Sequence, residues 1–228
     1  MKRRVLVDQE TTLAQQCYER IRDEIVEGVL KPGEKLKVSY FKERFGVGQS
    51  PVREALSRLV ASGLVDVEDN KGFRVAAVCE ADIRDIYDAF ARIESMLIGL
   101  AIERGDDAWQ GAIVAAQYRL ALIEAQGIDS SMSVWIERNY ELHRALIAGC
   151  NSPALLALRD LLYIKFDRYC RMAYQLNHVL WDNHTEHTAL VEAVLARDAN
   201  RACKLIVDHI YGGLEGIIAQ LKLTGMIN

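Results

Sequence analysis

Within residues 46–75 the apolar repeat changes from three- and four-residue spacing to strict alternation, which predicts a helix followed by a short hairpin. The helical part has its apolar stripe at four positions: Ala55, Leu56, Leu59 and Val60. Residues 65–68 and 73–75 alternate as strands do, and the Asp-Asn-Lys-Gly segment at 69–72 can form the turn between them. This order of elements predicts a winged helix-turn-helix.

The predicted helix has polar residues where a DNA-binding helix needs them. Ser50 is expected to cap its first free N–H groups and to contact DNA, and Pro51 suits its first turn. Arg53 and Ser57 lie off the apolar stripe near the helix start, where side chains of a major-groove helix reach base edges. An arginine-bearing helix beside a hairpin with a basic tip is suited to bind duplex DNA.

The residues before this segment complete a domain that we place at 1–77. A four-residue apolar period predicts a first helix over about 11–28, and Lys-Pro-Gly at 31–33 predicts a turn. Ser39 is expected to cap a short helix that runs through Phe45 and that Gly46 closes.

After Ala77 the sequence shows helical repeats alone. We predict six helices, at roughly 80–104, 107–126, 131–149, 153–176, 178–197 and 199–223. The fold class is therefore mainly α, with an N-terminal winged helix-turn-helix followed by an all-α six-helix bundle over 78–228.

Charge and hydropathy limit the kinds of partner. No apolar run reaches the ~20 residues that span a bilayer, so we expect a cytoplasmic protein without membrane contact. The net charge of −4 argues against indiscriminate coating of nucleic acid. Residues 1–77 hold 14 Lys/Arg against 12 Asp/Glu, and the remainder holds 14 against 20. DNA contact must therefore depend on a few well-placed residues and on dimerisation.

Three histidines occur at regular places in the predicted bundle: His143, His187 and His209. Asn139 precedes His143 by four residues, which puts both on one helical face. Imidazole is a ligand for Zn, Ni, Cu or Fe, and neighbouring helices of a bundle can share a metal. The alternative is that each histidine is a hydrogen-bonded core or surface residue. His178 and His184 are expected to lie on the exposed start of the fifth predicted helix, although His184 forms an i,i+3 pair with His187 and so competes for the site.

Arg168 and Arg171 stand among aromatic residues in the fourth predicted helix of the bundle. They either belong to a solvated helix face or bind a small carboxylate effector inside the bundle, since guanidinium holds carboxylate bidentately.

The chain resembles GntR-superfamily transcription regulators of the FadR type, which have a helical ligand-sensing (FCD) domain. The resemblance covers residues 15–222, and its most specific parts are EGVLKPGEKL, SPVREALSRLVASGLV, KGFRV, AGCNSPALLAL and EHTALVEAVLARDANRA. It implies a homodimer that binds pseudo-palindromic operator DNA, one half-site for each protomer.

The resemblance also implies roles for single residues. The family's metal positions correspond to Asn139, His143, His187 and His209, and Asn139 stands where many members have the stronger ligand aspartate. In the DNA-binding part, Arg53 matches the second arginine of the family's recognition segment. Gln49 stands where arginine is usual and could pair with adenine instead. Lys71 and Gly72 match the tip of the wing.

One departure concerns the effector. Many sensor domains have a cavity-facing arginine four residues before the glutamate of their first helix, and here the position before Glu94 is Phe90. Arg92 lies roughly opposite in helical phase and should not substitute for it. A dicarboxylate effector therefore loses support unless another arginine supplies the charge.

Together these features predict a dimeric DNA-binding transcriptional regulator, with repression favoured. Its operator affinity would be modulated by a small carboxylate at or near a divalent transition metal, with Zn or Ni favoured. Two alternatives stay open: a three-histidine metal-dependent hydrolase, and a constitutive DNA binder whose bundle only dimerises.

Overall fold

The chain divides into two compact units, Met1–Val78 and Cys79–Asn228, which we call the N-terminal unit and the helical unit. The computed structural model describes residues 11–68, 72–125, 132–177 and 184–227. Lys71 and His178, both singled out in the sequence, lie outside the described residues. The mainly α class with a winged helix-turn-helix is confirmed.

The N-terminal unit contains three helices and a small antiparallel sheet. Its elements are α1 (Leu13–Val26), β1 (Lys35–Leu36), α2 (Val38–Phe45), α3 (Gln49–Ala61), β2 (Val65–Glu68) and β3 (Gly72–Val75). The strand order is β1-β3-β2, with Leu36 opposite Phe73 and Val65 opposite Val75. The two-residue strand β1 was not predicted, because so short a run shows no alternation.

The helix ends differ from the sequence predictions in one respect that concerns the DNA-binding surface. Ser50 does not cap α3: Gly48 occupies the N-cap position in an extended conformation, and no side chain accepts a capping hydrogen bond there. The chain therefore enters the helix at Gln49, and Ser50 lies in the first turn. Likewise α2 begins at Val38 without a Ser39 cap, although Gly46 ends it at a φ of 66°, as glycine readily does.

The helical unit contains seven helices among its described residues. They are α4 (Glu80–Arg104), α5 (Asp107–Glu124), α6 (Met132–Ala148), α7 (Pro153–Asn177), α8 (His184–Leu195), α9 (Ala199–Gly212) and α10 (Leu214–Leu223). The predicted last helix, 199–223, is thus two helices that meet at Gly213. Consecutive glycines at 212 and 213 have low helix propensity, which accounts for the break.

Helix α4 lies at the centre of the helical unit, packed against α7 and α9. Ile83, Phe90 and Leu97 are among the residues it buries. Unusually, one of the buried residues of α4 is an acid: Glu94 is 1% exposed. None of the helices in the described ranges is long and apolar enough to cross a membrane.

Candidate functional site

Helix α3 presents a polar face opposite its buried stripe. The buried stripe lies in the core of the N-terminal unit and consists of Val52, Ala55, Leu56 and Leu59. The exposed side carries four of the residues predicted to contact DNA: Gln49, Ser50, Arg53 and Ser57. The predicted stripe is otherwise as expected, except that Val60 is only half-buried.

The two arginines of α3 have different surroundings. Arg58 donates through Nη2 to Gln15 Oε1 at 2.8 Å, and its guanidinium lies 4.4 Å from the ring centre of Tyr18, so it holds α3 to α1. Arg53 is exposed and makes neither a hydrogen bond nor an ion pair with any part of the chain that the structure describes. Of the predicted wing tip, Gly72 is the first residue of β3 and has a φ of 94°.

Three histidines from three different helices meet inside the helical unit. His143 of α6, His187 of α8 and His209 of α9 have ring centres 4.8 to 5.4 Å apart. One potential ligand atom from each lies within 4.8 Å of the others. Nitrogens at this separation can share one ion at 2.0–2.1 Å after shifts of less than about an ångström.

The protonation of this cluster suits a metal ligand, which must be neutral imidazole. Burial, together with the nearby His209, His187 and Arg159, holds the pKa of His143 well below its usual value. Burial and the nearby His209 and His184 lower the pKa of His187 to about 3. Both histidines are therefore neutral at pH 7 with lone pairs available.

Two of the predicted ligands have buried polar atoms without hydrogen-bond partners among the described residues. Both ring nitrogens of His187 are in this state, and so is Oδ1 of Asn139. Buried polar groups in proteins are nearly always paired, so an orphaned donor set points to a group that these atoms bind. The residues present thus fit a divalent transition metal with nitrogen and amide-oxygen ligands.

Glu186 contributes to the cluster although no sequence pattern pointed to it. Its Oε2 accepts a hydrogen bond from Nδ1 of His209 at 2.7 Å, and this bond lowers the pKa of the carboxyl group. A carboxylate on one imidazole nitrogen fixes the ring and leaves the other nitrogen for a metal. Adjacent positions on a helix point about 100° apart, so Glu186 can reach α9 while His187 points inward.

A cavity of about 130 Å³ adjoins the histidines. His143, His209 and Asn139 line it, together with aromatic side chains and Arg159. Arg159 of α7 is fully buried and donates through Nε to Oε1 of Glu94 at 2.6 Å. Burial raises the pKa of Glu94, which the ion pair with Arg159 opposes.

The arginines that the sequence suggested for effector binding do not line this cavity. Arg168 is buried elsewhere, and Arg171 pairs with Asp167 at 2.8 Å. The cavity-facing positions of α7 are 159, 163, 166, 167 and 170, and position 168 lies on the opposite face, so this cavity gives the predicted effector role no support. Arg159 was detectable as a charge in phase with Tyr163, Phe166 and Cys170.

The other competitors also lie apart from the cluster. His184 is exposed and its Nδ1 is 2.6 Å from Oε2 of Glu124. Arg92 is on the surface, paired with Asp88 at 2.7 Å, in agreement with its predicted phase.

Comparison with known proteins agrees with this architecture. Residues 13–75 match the family described as bacterial regulatory proteins, gntR family, and residues 85–212 match the FCD domain. The HTH-type transcriptional repressor GlaR of Escherichia coli (strain K12) is 39% identical over 198 residues, 85% of this chain and 90% of that protein. The HTH-type transcriptional regulator BphR of Paraburkholderia xenovorans (strain LB400) is 33% identical over 219 residues, 95% and 88% of the two chains.

The solved structure of E. coli McbR/YncC has the same fold, with a TM-score of 0.76 at 21% identity over 92% of this chain and 99% of that one. The relatives are named as transcriptional regulators, which agrees with the predicted regulator and not with the hydrolase alternative. The chain belongs to the GntR family of DNA-binding transcriptional regulators and carries an FCD domain.

Proposed function

We propose that this regulator is a cytoplasmic, metal-containing homodimeric repressor that releases its operator when a small carboxylate binds beside His143, His187 and His209. The observation that carries the proposal is the convergence of three imidazoles beside a cavity that His143, His209 and Asn139 line, with polar atoms of His187 and Asn139 unpaired among the described residues. Repression is supported by the name of the relative GlaR, a transcriptional repressor.

Zinc or nickel would be held by the three histidines, with Asn139 as a weaker fourth ligand because an amide oxygen carries no net charge. Such an ion supplies a Lewis acid that attracts a carboxylate oxygen. Glu186 keeps the His209 ring in place through Nδ1, so that the ring's other nitrogen faces the cluster. The aromatic walls exclude water from the cavity and so strengthen each polar contact inside it.

At the DNA, the exposed face of α3 would enter the major groove. Arg53, unpaired in the described chain, is available for a guanine edge, and Gln49 for adenine. Ser50 and Ser57 flank them on the same face, while Lys71 and Gly72 would contact the adjacent backbone or minor groove from the wing. Arg58 is hydrogen-bonded to Gln15 of α1 and is not part of this surface.

Dimerisation is supported by an apolar groove on the outside of the helical unit, between α4 and α7. Met96, Leu158 and Leu161 line it and are 46%, 54% and 50% exposed. Apolar patches of this kind are common where proteins self-associate. Two protomers joined there would present two α3 helices to the two half-sites of one operator.

The carboxylate can release the operator only if it binds more tightly to the arrangement with low DNA affinity. A differential of about 3 kcal/mol changes operator affinity by about 150-fold, at the upper end of usual couplings.

The test uses full-length protein loaded with zinc and DNA fragments selected from genomic DNA by binding. Fluorescence anisotropy is measured with a panel of carboxylic acids, before and after removal of the metal by a chelator. We expect at least one acid to weaken binding of the zinc protein by about 10- to 150-fold and to have little effect on the metal-free protein. If an acid weakened DNA binding equally in the metal-free protein, the proposed role of the metal would be contradicted. If no acid weakened DNA binding, the alternative of a constitutive DNA binder would be favoured.

A further inference from the structure

Arg159 is the one permanent cation among the described residues that line the cavity beside the histidines. It is fully buried, and one of its two terminal nitrogens, Nη2, has no hydrogen-bond partner within the described chain. Its other donors are used: Nε binds Oε1 of Glu94, and Nη1 lies 3.5 Å from Asp160. A buried charged donor without an acceptor is uncommon, so Nη2 points to a missing anion.

Glu94 is left incomplete in the same way, because its Oε2 also has no partner among the described residues. The two groups therefore share a single hydrogen bond where a guanidinium and a carboxylate can form two. Arg159 can therefore donate a hydrogen bond from Nη2 to a second carboxylate while Nε stays bonded to Glu94.

The surroundings of Arg159 are aromatic. Its guanidinium lies 4.5 Å from the ring centre of Tyr163, 5.3 Å from that of Phe90 and 5.5 Å from that of Tyr140. Phe166 continues this wall, stacked on Phe90 with ring centres 4.4 Å apart. Such walls favour a flat apolar body, because rings pack in offset or edge-on arrangements against one another.

The size of the cavity restricts the ligand further. Its volume is about 130 Å³, and a cavity of roughly 150 Å³ in another protein is enough to hold benzene. Two acidic side chains, Asp167 and Glu186, also line it. Asp167 is already paired with Arg171, and Glu186 is hydrogen-bonded to His209, so the chain itself occupies both acids.

Building on the function proposed above, we propose that Arg159 binds the carboxylate of the effector through its free nitrogen, and that the effector is an aromatic monocarboxylate about the size of benzoate. Nη2 of the guanidinium supplies the directional contact, and the rings of Phe90, Tyr140 and Tyr163 hold the body of the ligand. The volume of the cavity, about 130 Å³, disfavours a ligand longer than benzoate, such as an aromatic dicarboxylate.

The first experiment measures binding to the zinc-loaded full-length protein by isothermal titration calorimetry. The probes are benzoate, benzamide (neutral, same shape), terephthalate (a dicarboxylate) and cyclohexanecarboxylate (not aromatic). We expect benzoate to bind best, and benzamide and terephthalate to bind roughly 10- to 100-fold more weakly, the range that loss of a hydrogen bond to a charged group gives. Equal binding of benzamide, or tighter binding of terephthalate or cyclohexanecarboxylate, would overturn the ligand class.

The second experiment tests the residue. Arg159→Met alone would leave the Glu94 carboxylate buried without a partner, so it is combined with Glu94→Gln. The double variant should keep its circular dichroism spectrum and its zinc content but lose the preference for benzoate over benzamide. Arg159→Lys, which keeps the positive charge but not the planar guanidinium, should retain part of the preference for benzoate over benzamide. The control is Arg92→Gln, which removes an arginine paired on the surface of α4, and it should bind benzoate as the wild type does.

Failure of this inference can be told from failure of the proposed function. If another acid releases the operator while benzoate does not bind, Arg159 and the aromatic class are refuted and effector-controlled release stands. If benzoate binds through Arg159 while the operator stays bound, the inference holds and release by the effector is refuted. In either case, a folded double variant that still prefers benzoate over benzamide as the wild type does refutes the role of Arg159.

Discussion

At the scale of single residues, the helical unit buries polar groups that find no hydrogen-bond partner among the described residues. His187 is 2% exposed and both its ring nitrogens lack partners within the described residues. In the absence of a ligand such burial is destabilising, and a bound metal reverses the penalty by using the lone pair. If the proposed metal binds, His187 should therefore stabilise the protein only in the metal-bound state.

His187→Ala should therefore abolish stabilisation by zinc. For the wild type, zinc at about 100 times its Kd should add about 2.7 kcal/mol to the free energy of unfolding. The variant should unfold at the same temperature with and without zinc, as measured by differential scanning calorimetry. His184→Ala is the matched control, because His184 is on the same helix but is exposed and paired with Glu124. A zinc-dependent shift that survives in His187→Ala would exclude this residue as a ligand.

Arg53 and Arg58 form a second contrast between neighbouring residues. Arg53→Ala should weaken operator binding by roughly 5- to 150-fold, the value of one good contact to a base, and leave the unfolding temperature unchanged because the side chain is exposed. Arg58→Ala should lower the unfolding temperature instead, since it removes the contacts to Gln15 and Tyr18. Anisotropy and thermal unfolding measured on both variants check this. If Arg53→Ala has full affinity for selected DNA, α3 does not read the operator.

At the scale of elements, the packing of two helices depends on how closely a glycine lets a side chain approach the backbone. The junction between α4 and α5 depends on Gly105, because a Cβ at this position would collide with the indole ring of Trp109. The φ of Gly105 is −69°, so any residue could adopt its backbone conformation, and the requirement for glycine is purely steric. Trp109 is fixed from the other side by its Nε1, which donates to the carbonyl of Ala145 at 2.9 Å.

Gly105→Ala should accordingly destabilise the protein by about 1–3 kcal/mol, the usual cost of overpacking. Gly111→Ala is the control: it lies within α5, alanine is the better helix former, and apart from the adjacent backbone of α5 no described atom lies within 4 Å of the place that its Cβ would take. It should stabilise by up to about 1 kcal/mol. Urea denaturation measures both. Similar effects of the two substitutions would show that Trp109 moves away without cost.

At the scale of the whole molecule, the proposed regulator needs a second copy of itself. The apolar groove between α4 and α7 lies on the face of the helical unit formed by the outer sides of these two helices. Helix α4 also carries Glu94, and α7 carries Arg159, so the groove and the effector cavity share both helices. A ligand that alters the packing of α4 on α7 would thus act on the proposed dimer contact as well.

Leu158→Glu should convert the dimer to a monomer, because it puts a charge in the centre of the groove. The residue is 54% exposed in the single chain, so the fold should survive. Sedimentation velocity gives the mass, and anisotropy should show loss of binding to the full operator. Leu122→Glu is the control, since Leu122 is 44% exposed on α5, away from the groove. A dimer in the Leu158 variant would place the interface elsewhere.

The local repeats of the sequence determined most of the elements. Spacing of apolar residues located α3, the wing and the helices of the second unit, because a helix or strand buries one face and the period of its apolar residues shows which. The same periodicity placed Asn139 and His143 on one face. The break at Gly213 and the two-residue β1 were missed, since neither alters the repeat enough to be seen.

The tertiary structure alone decided which residues meet. His143, His187 and His209 come from three helices, and their convergence depends on how α6, α8 and α9 pack, which no local repeat contains. The same holds for Arg159, whose partner Glu94 is 65 positions away. A helical repeat shows which residues share a face, but only the packing shows which face lines the cavity. For that reason the sequence pointed to Arg168 and Arg171, whereas the arginine that lines the cavity among the described residues is Arg159.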